Sequence, residues 1–284
     1  MVRNVTTATE VPAKKAQLWL TMIINNSQRL TDRFLFRTLF FKGNHELYNL
    51  DRAVIGKKLN IPFQKEPCGD LVGYWSHSHR GVRFIVIDSY DVHKLQRCQE
   101  TSTKYKQASN ILANENPNYP HNENSAEGLE GEKQRFVAFN GAVGDPQLEW
   151  LKETLHLARE SNEKVIVLSH QPILPGSSSS ICLVWNFQQV LDILRDFRDV
   201  VVASFAGHAH SGGYKRDEES GIHFRTIEAV LENPHPYKTY GLLEVHDNCL
   251  VLQGYGKCES AVYDFDHLSA KVEKTPLYAE RERM

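Results

Sequence analysis

The stretch Val200-Val-Val-Ala-Ser-Phe-Ala-Gly-His-Ala-His-Ser-Gly-Gly-Tyr214 decides the reading of this chain. Val200 to Ala206 is a short apolar run rich in β-branched residues, the pattern of a buried strand. Gly207 ends the run, and His208 and His210 follow it. Alternate residues on an extended backbone point the same way, so two imidazoles are expected to leave the strand end together. In open α/β sheets, ligands bind beyond the carboxyl ends of the strands. A histidine pair in that position points to a metal.

Upstream of this stretch, Asn186 is read as the cap of a helix whose face carries Val190, Leu191 and Leu194. Before it, Lys164 to Leu168 is read as a strand ending in Ser169-His-Gln-Pro-Ile173. A further helix is predicted from Asp145 as N-cap, with Pro146 at its first position and Leu148, Leu151, Leu155 and Ala158 at helical spacing. Val82-Arg-Phe-Ile-Val-Ile87 is a strand closing with Asp88-Ser-Tyr-Asp91, both aspartates being read as turn residues. Leu39-Phe-Phe41 is a short strand that runs into Lys42-Gly-Asn-His-Glu46, and Pro12 to Phe34 is compatible with an amphipathic helix. Alternation of strand and helix implies parallel pairing with crossovers, an α/β fold. Downstream, three shorter β segments are expected near His223 to Val230, Tyr240 to His246 and Cys249 to Tyr255.

From Cys98 to Gln134 the composition turns polar and offers little to bury. Such a long segment reads as an insertion or lid over the site, its Asn and Lys side chains available to a ligand. The expected organisation is an atypical N-terminal segment (1–35), one domain (36–260) with the insertion at 98–134, and a C-terminal tail (261–284). Cys182 and Trp185 are read as packing residues.

The formal net charge of −2 across 284 residues gives no sign of a nucleic-acid or membrane surface. No apolar run reaches the ~20 residues of a membrane span. Lys14 and Lys15 before Leu18 to Ile24 imitate a signal peptide, but no small-residue cleavage site follows. The five cysteines are scattered without CxxC spacing, as in a protein of reduced thiols. The expectation is a cytoplasmic monomer that takes a small molecule.

Three strand-to-loop junctions carry similar chemistry: Gly43-Asn-His-Glu46, Ser169-His-Gln-Pro172 and Gly207-His-Ala-His210. A single histidine after a strand is more often a hydrogen-bonding cap than a ligand. Parallel neighbouring strands would open all three junctions on one sheet edge and bring Asn44, His170, His208 and His210 together. An amide oxygen and three imidazoles suit a first-row transition metal. His45, beside that set, is placed to act as general acid or to orient a phosphoryl oxygen.

The three motifs in this order resemble those of the calcineurin-like metallophosphoesterases. Wider text carries a closer resemblance: Gly43-Asn-His-Glu-Leu-Tyr48, Ile87-Asp-Ser-Tyr-Asp91, Phe136-Val-Ala-Phe-Asn-Gly141, Cys182-Leu-Val-Trp-Asn186 and Ala206 to Tyr214. From about Phe36 to Gly256 the chain is similar to the manganese-dependent ADP-ribose/CDP-alcohol diphosphatase branch. The resemblance implies mixed β-sheets layered with helices, a two-metal site, and hydrolysis of the pyrophosphate bond of nucleoside diphosphate-linked substrates. By motif position it gives Asn44, His170 and His208 to one metal and His210 to the other, and makes His45 the catalytic histidine. The alternatives are a metal- or nucleotide-binding homologue without turnover and a phosphomonoesterase of the same fold.

The family pattern also has an Asp-x-His or Asp-x-Gln motif after a first strand, then Gly-Asp-x-x-Asp. Residues 1 to 42 contain neither, and Asp32 is the only aspartate among them. The chain is therefore expected to lack the family's N-terminal strand, through an incomplete gene model or a short form. A shell of amide and imidazole alone is expected to hold at most one metal, to prefer Zn²⁺ to Mn²⁺, and to hydrolyse slowly.

Overall fold

The computed structural model describes residues 43–95, 100–232 and 239–269. The expected strand at Leu39 to Phe41, the expected helix at Pro12 to Phe34 and the expected lack of a first strand all concern residues outside this set. The described residues open with α1 (Asn44–Asn49) and α2 (Arg52–Leu59), then short strands β1 (Gln64–Lys65) and β2 (Leu71–Val72). β3 (Trp75–His79), β4 (Val82–Ile87) and β5 (Val92–His93) follow, then α3 (Thr103–Glu115), β6 (Gly141–Ala142), α4 (Asp145–Glu160) and β7 (Lys164–Ser169). α5 (Phe187–Asp196), β8 (Val201–Ala206), β9 (Gly213–Arg216) and β10 (His223–Thr226) complete a six-stranded sheet of order β3-β4-β7-β8-β10-β9. β11 (Tyr240–Val245), β12 (Cys249–Tyr255) and β13 (Ala261–Asp264) form a second, antiparallel sheet, and α6 (Asp266–Ser269) follows.

Strands β4, β7, β8 and β10 are mutually parallel, and β3 and β9 close the edges antiparallel. Near-continuous apolar runs mark the central strands because both faces are covered. In β4, Ile85 and Ile87 join Leu151, Leu155, Val190 and Leu194 of α4 and α5 in one core. Phe84 and Val86 face the other way, with Leu243, Leu250, Leu252 and Tyr263 of the small sheet. Each fully buried aliphatic or phenyl side chain contributes about 1.5–3 kcal/mol, so the helix–sheet–sheet layering is held mainly by these two interfaces.

Capping differs in detail from the reading. Gly144, not Asp145, is the N-cap of α4, which places Asp145 and Pro146 in the first turn. Asn186 is the N-cap of α5 without a side-chain cap bond, because its amide bridges Val143 N and Val143 O instead. At α2, Asp51 accepts from Val54 N at 2.8 Å. Asp51→Ala is expected to cost about 1 kcal/mol, seen as a lower denaturation midpoint at unchanged m-value.

The segment 98–134 is more than a polar loop. Ser102 caps α3 by accepting from Tyr105 N at 2.9 Å. Ala108 and Leu112 of that helix join Leu129, Phe136, Ala138 and Trp185 in a third core. Small alanines and i, i+4 spacing supply what a count of large apolar residues understates. Two of its polar side chains are tied into the fold: the Asn116 amide donates to Phe136 O at 2.8 Å, and buried Lys104 pairs with Asp91 and Glu66. The boundary at residue 260 also falls short, since Ala261–Asp264 is the third strand of the small sheet. Residues 270–284 of the expected tail lie outside the described set.

Candidate metal centre

Parallel pairing fixes where the junctions open. β7 and β8 run side by side with Leu168 opposite Phe205, and Gly207 N donates to His170 O at 3.0 Å. β4 lies parallel to β7, with Ile87 opposite Ser169. Gln171 stitches these ends together: its Nε2 donates to Ser89 O at 3.1 Å, and its Oε1 accepts from Gly141 N at 3.3 Å. The sequence Ser169-His-Gln-Pro172 thus carries a site residue and the tie that holds its neighbours.

Gly43 is extended, and α1 begins at Asn44, so the first junction is a helix start. Gly43 N donates to the Glu46 carboxylate at 2.8 Å. Burial pushes the Glu46 carboxyl up, while backbone bonds to Gly43 and to its own amide oppose the shift. A side chain at Gly43 has no room: a Cβ there would lie 2.8 Å from both ring nitrogens of His170. That contact seats the helix start on the end of β7.

Asn44, His170 and His208 come together and are buried, at 6%, 3% and 8% exposure. His170 Nε2 lies 3.0 Å from Asn44 Oδ1, and the His170 and His208 rings are 5.0 Å apart. Asn44 Nδ2 donates to Tyr48 OH at 3.1 Å, which turns its oxygen toward His170. His208 takes φ 65°, a left-handed conformation that costs a non-glycine residue roughly 1–2 kcal/mol. Strain of this kind concentrates at functional sites. Burial, then the neighbouring His210 and His45, lower the His208 pKa to about 3, so its imidazole is neutral.

His210 and His45 stand at the rim. Their rings stack at 5.8 Å, and His45 also meets Tyr48 edge-on. His210 Nδ1 lies 2.8 Å from Glu232 Oε1. Among the described residues no three His, Cys, Asp or Glu side chains form a ready metal cluster. The converging set is instead one amide and two imidazoles, donors that suit a first-row divalent metal when the imidazoles are neutral.

Asp88 and Asp91 point elsewhere. Asp88 pairs with Arg52 and accepts from Gly73 N at 2.9 Å. Asp91 pairs with Lys104 and accepts from Gly144 N and Gln147 Nε2, each at 3.1 Å. Trp185 packs in the third core as expected, and burial raises the half-buried Cys182 thiol to about 11.

Three residues at the site went unassigned in the sequence reading. Tyr90 is fully buried, with its ring 5.8 Å from His170 and 6.5 Å from His208. Asn140 Oδ1 lies 2.7 Å from His208 Nε2. Glu232 holds His210. Tyr90 and Asn140 sit inside quoted motifs, but no spacing rule assigns them a role. Glu232 ends a short 3-10 helix, Val230–Glu232, that carries no motif.

A model of the calcineurin-like phosphoesterase family matches residues 11–212. A manganese-dependent ADP-ribose/CDP-alcohol diphosphatase of Arabidopsis thaliana is 39% identical over 223 residues, 78% of this chain and 68% of that protein. Its namesake in Bos taurus is 35% identical over 233 residues, 78% of this chain and 67% of that protein. A crystal structure of a dimetal phosphatase from Danio rerio superposes with a TM-score of 0.72 at 31% identity, covering 78% of this chain and 70% of that one. The match spans the α1 start, the His170 junction and the His208 loop, and the chain belongs to the calcineurin-like phosphoesterase family of hydrolases.

Proposed function

We propose that this chain hydrolyses the pyrophosphate bond of nucleoside diphosphate-linked substrates such as ADP-ribose or CDP-alcohols, using a divalent metal. The observation that carries the reading is the convergence of Asn44, His170 and His208 from three separate junctions. The names of relatives 34–39% identical support the substrate class. Asn44 Oδ1 and the imidazoles of His170 and His208 would hold the metal, with His210, oriented by Glu232, at its margin. A metal held there would supply positive charge for the phosphoryl oxygens and acidify water.

The protein's own groups account for the remaining steps. Water forms a new bond to one phosphorus as the bridging P–O bond breaks, giving AMP and ribose 5-phosphate from ADP-ribose. His45, at the rim beside Asn44, donates the proton that the leaving phosphate oxygen needs. Tyr90 and Phe139 flank His208 and keep bulk water from its ring.

Manganese has the support of the relatives' names. The zinc preference rests only on the donor chemistry of the described residues. Purified protein with Mn²⁺ is expected to convert ADP-ribose to AMP faster than it hydrolyses p-nitrophenyl phosphate. Binding of ADP-ribose without AMP formation would overturn the proposed activity, and the opposite rate order would make the chain a phosphomonoesterase.

A further inference from the structure

We propose that Asn140 is a positioning residue that holds His208 in the tautomer protonated on Nε2, leaving Nδ1 as the ring's lone-pair donor. The inference deepens the metal-site reading above and rests on it for its purpose, though not for its test.

The assignment follows from partners that can play only one role. Asn140 is completely buried, and its Nδ2 lies 2.8 Å from Arg135 O and 2.7 Å from Ile181 O. Both are backbone carbonyls, which only accept, so this end of the amide is the NH₂ group. The other end, Oδ1, therefore faces His208 Nε2 at 2.7 Å. An amide oxygen also only accepts, so Nε2 carries the proton. A neutral imidazole has one N–H, and the lone pair falls to Nδ1.

The carbonyls that orient Asn140 are themselves fixed. Arg135 Nε donates to Trp185 O at 2.6 Å, and its guanidinium stacks 4.1 Å from the Phe136 ring and 5.0 Å from the Phe187 ring. Asn140 N donates to Val137 O at 3.0 Å, and Trp185 N donates to Gly141 O at 2.8 Å. The backbone around the amide is thus tied on both sides. Metal-binding histidines generally donate their second ring N–H to such an acceptor, and loss of the acceptor lowers metal affinity about 10–100-fold. Packing alone would call for an apolar side chain here, because a buried amide must satisfy three hydrogen-bonding atoms.

Long-range ¹H–¹⁵N correlation spectra of the full, ¹⁵N-histidine-labelled, chelator-treated chain test the proposal. The His208 signals are identified by their loss in His208→Gln. The wild-type ring is expected to show a protonated Nε2 and an unprotonated Nδ1. Asn140→Leu is expected to give mixed tautomers and to weaken Mn²⁺ binding by calorimetry about 10–100-fold. A wild-type His208 protonated on Nδ1 would overturn the proposal, and so would an Asn140→Leu variant with unchanged tautomer and affinity. Should the leucine variant fail to fold, the wild-type spectrum still decides. Turnover plays no part in this readout, so an inactive protein would end the diphosphatase reading and leave the tautomer assignment standing.

Discussion

His45→Ala is expected to lower kcat for ADP-ribose by about 10²–10⁴, the usual worth of a positioned general acid. That is about 3–5 kcal/mol of transition-state stabilisation. The expectation rests on position: His45 follows Asn44 on α1, and its ring stacks on His210 at 5.8 Å and meets Tyr48 edge-on. A proton donor acts on the leaving oxygen and contributes little to metal binding, so metal content measured on the same samples should stay close to wild type. Loss of metal in step with activity would make His45 a ligand. Retention of full activity would remove it from the chemistry.

Asp91→Ala is expected to destabilise the fold by about 3–5 kcal/mol, because it breaks a buried ion pair and leaves one partner behind. Asp91 is 2% exposed, and its carboxylate meets Lys104, Gly144 N and Gln147 Nε2. Burial, with Asp88 close by, pushes the Asp91 carboxyl up, and Lys104 and Arg52 oppose that. Burial lowers the Lys104 pKa, yet Asp91 and Glu66 together hold it above its usual value. The lysine therefore stays charged and needs its partners. Because Lys104 stands on α3, the pair also fastens the 98–134 segment to the end of β4. Urea titration of wild type and variant checks the figure, and a loss under 1 kcal/mol would show that Glu66 alone suffices.

The same geometry revises what removal of the 98–134 segment should do. Composition alone reads that stretch as an insertion or lid with little to bury. In the structure Ala108, Leu112 and Leu129 cover Val92, Ala142 and Trp185. Its deletion is expected to expose this core and cost stability, seen as a lower midpoint in the same titration.

The central strands that are legible in the sequence share one physical character. β4, β7 and β8 are central strands covered on both faces, so their apolar runs stand out from polar surroundings. Edge strands lack that signature. Trp75-Ser-His-Ser-His79 carries mostly polar side chains, and β9 begins at a glycine with φ 155°, a pattern that reads as loop. α1 reads in the sequence as a strand end followed by a loop, because a six-residue helix shows too few turns for a period to emerge.

The candidate site divides in a similar way. Histidines after apolar strands, and an asparagine after an apolar run, could be named because topology places strand ends together. Their supporting residues could not, since the bonds from Asn140 to His208 and from Glu232 to His210 span 68 and 22 positions. Only tertiary structure brings such partners within reach. The same limit applies to Asp88 and Asp91, whose residue types fit metal ligands and whose partners turn out to be Arg52 and Lys104.

The most direct measurement of the central claim is anomalous diffraction at the manganese edge from crystals of this chain grown with Mn²⁺. The account predicts a peak bound by Asn44, His170 and His208. Crystals that diffract well but show no peak there, or show it at another cluster such as His77 and His79, would contradict it.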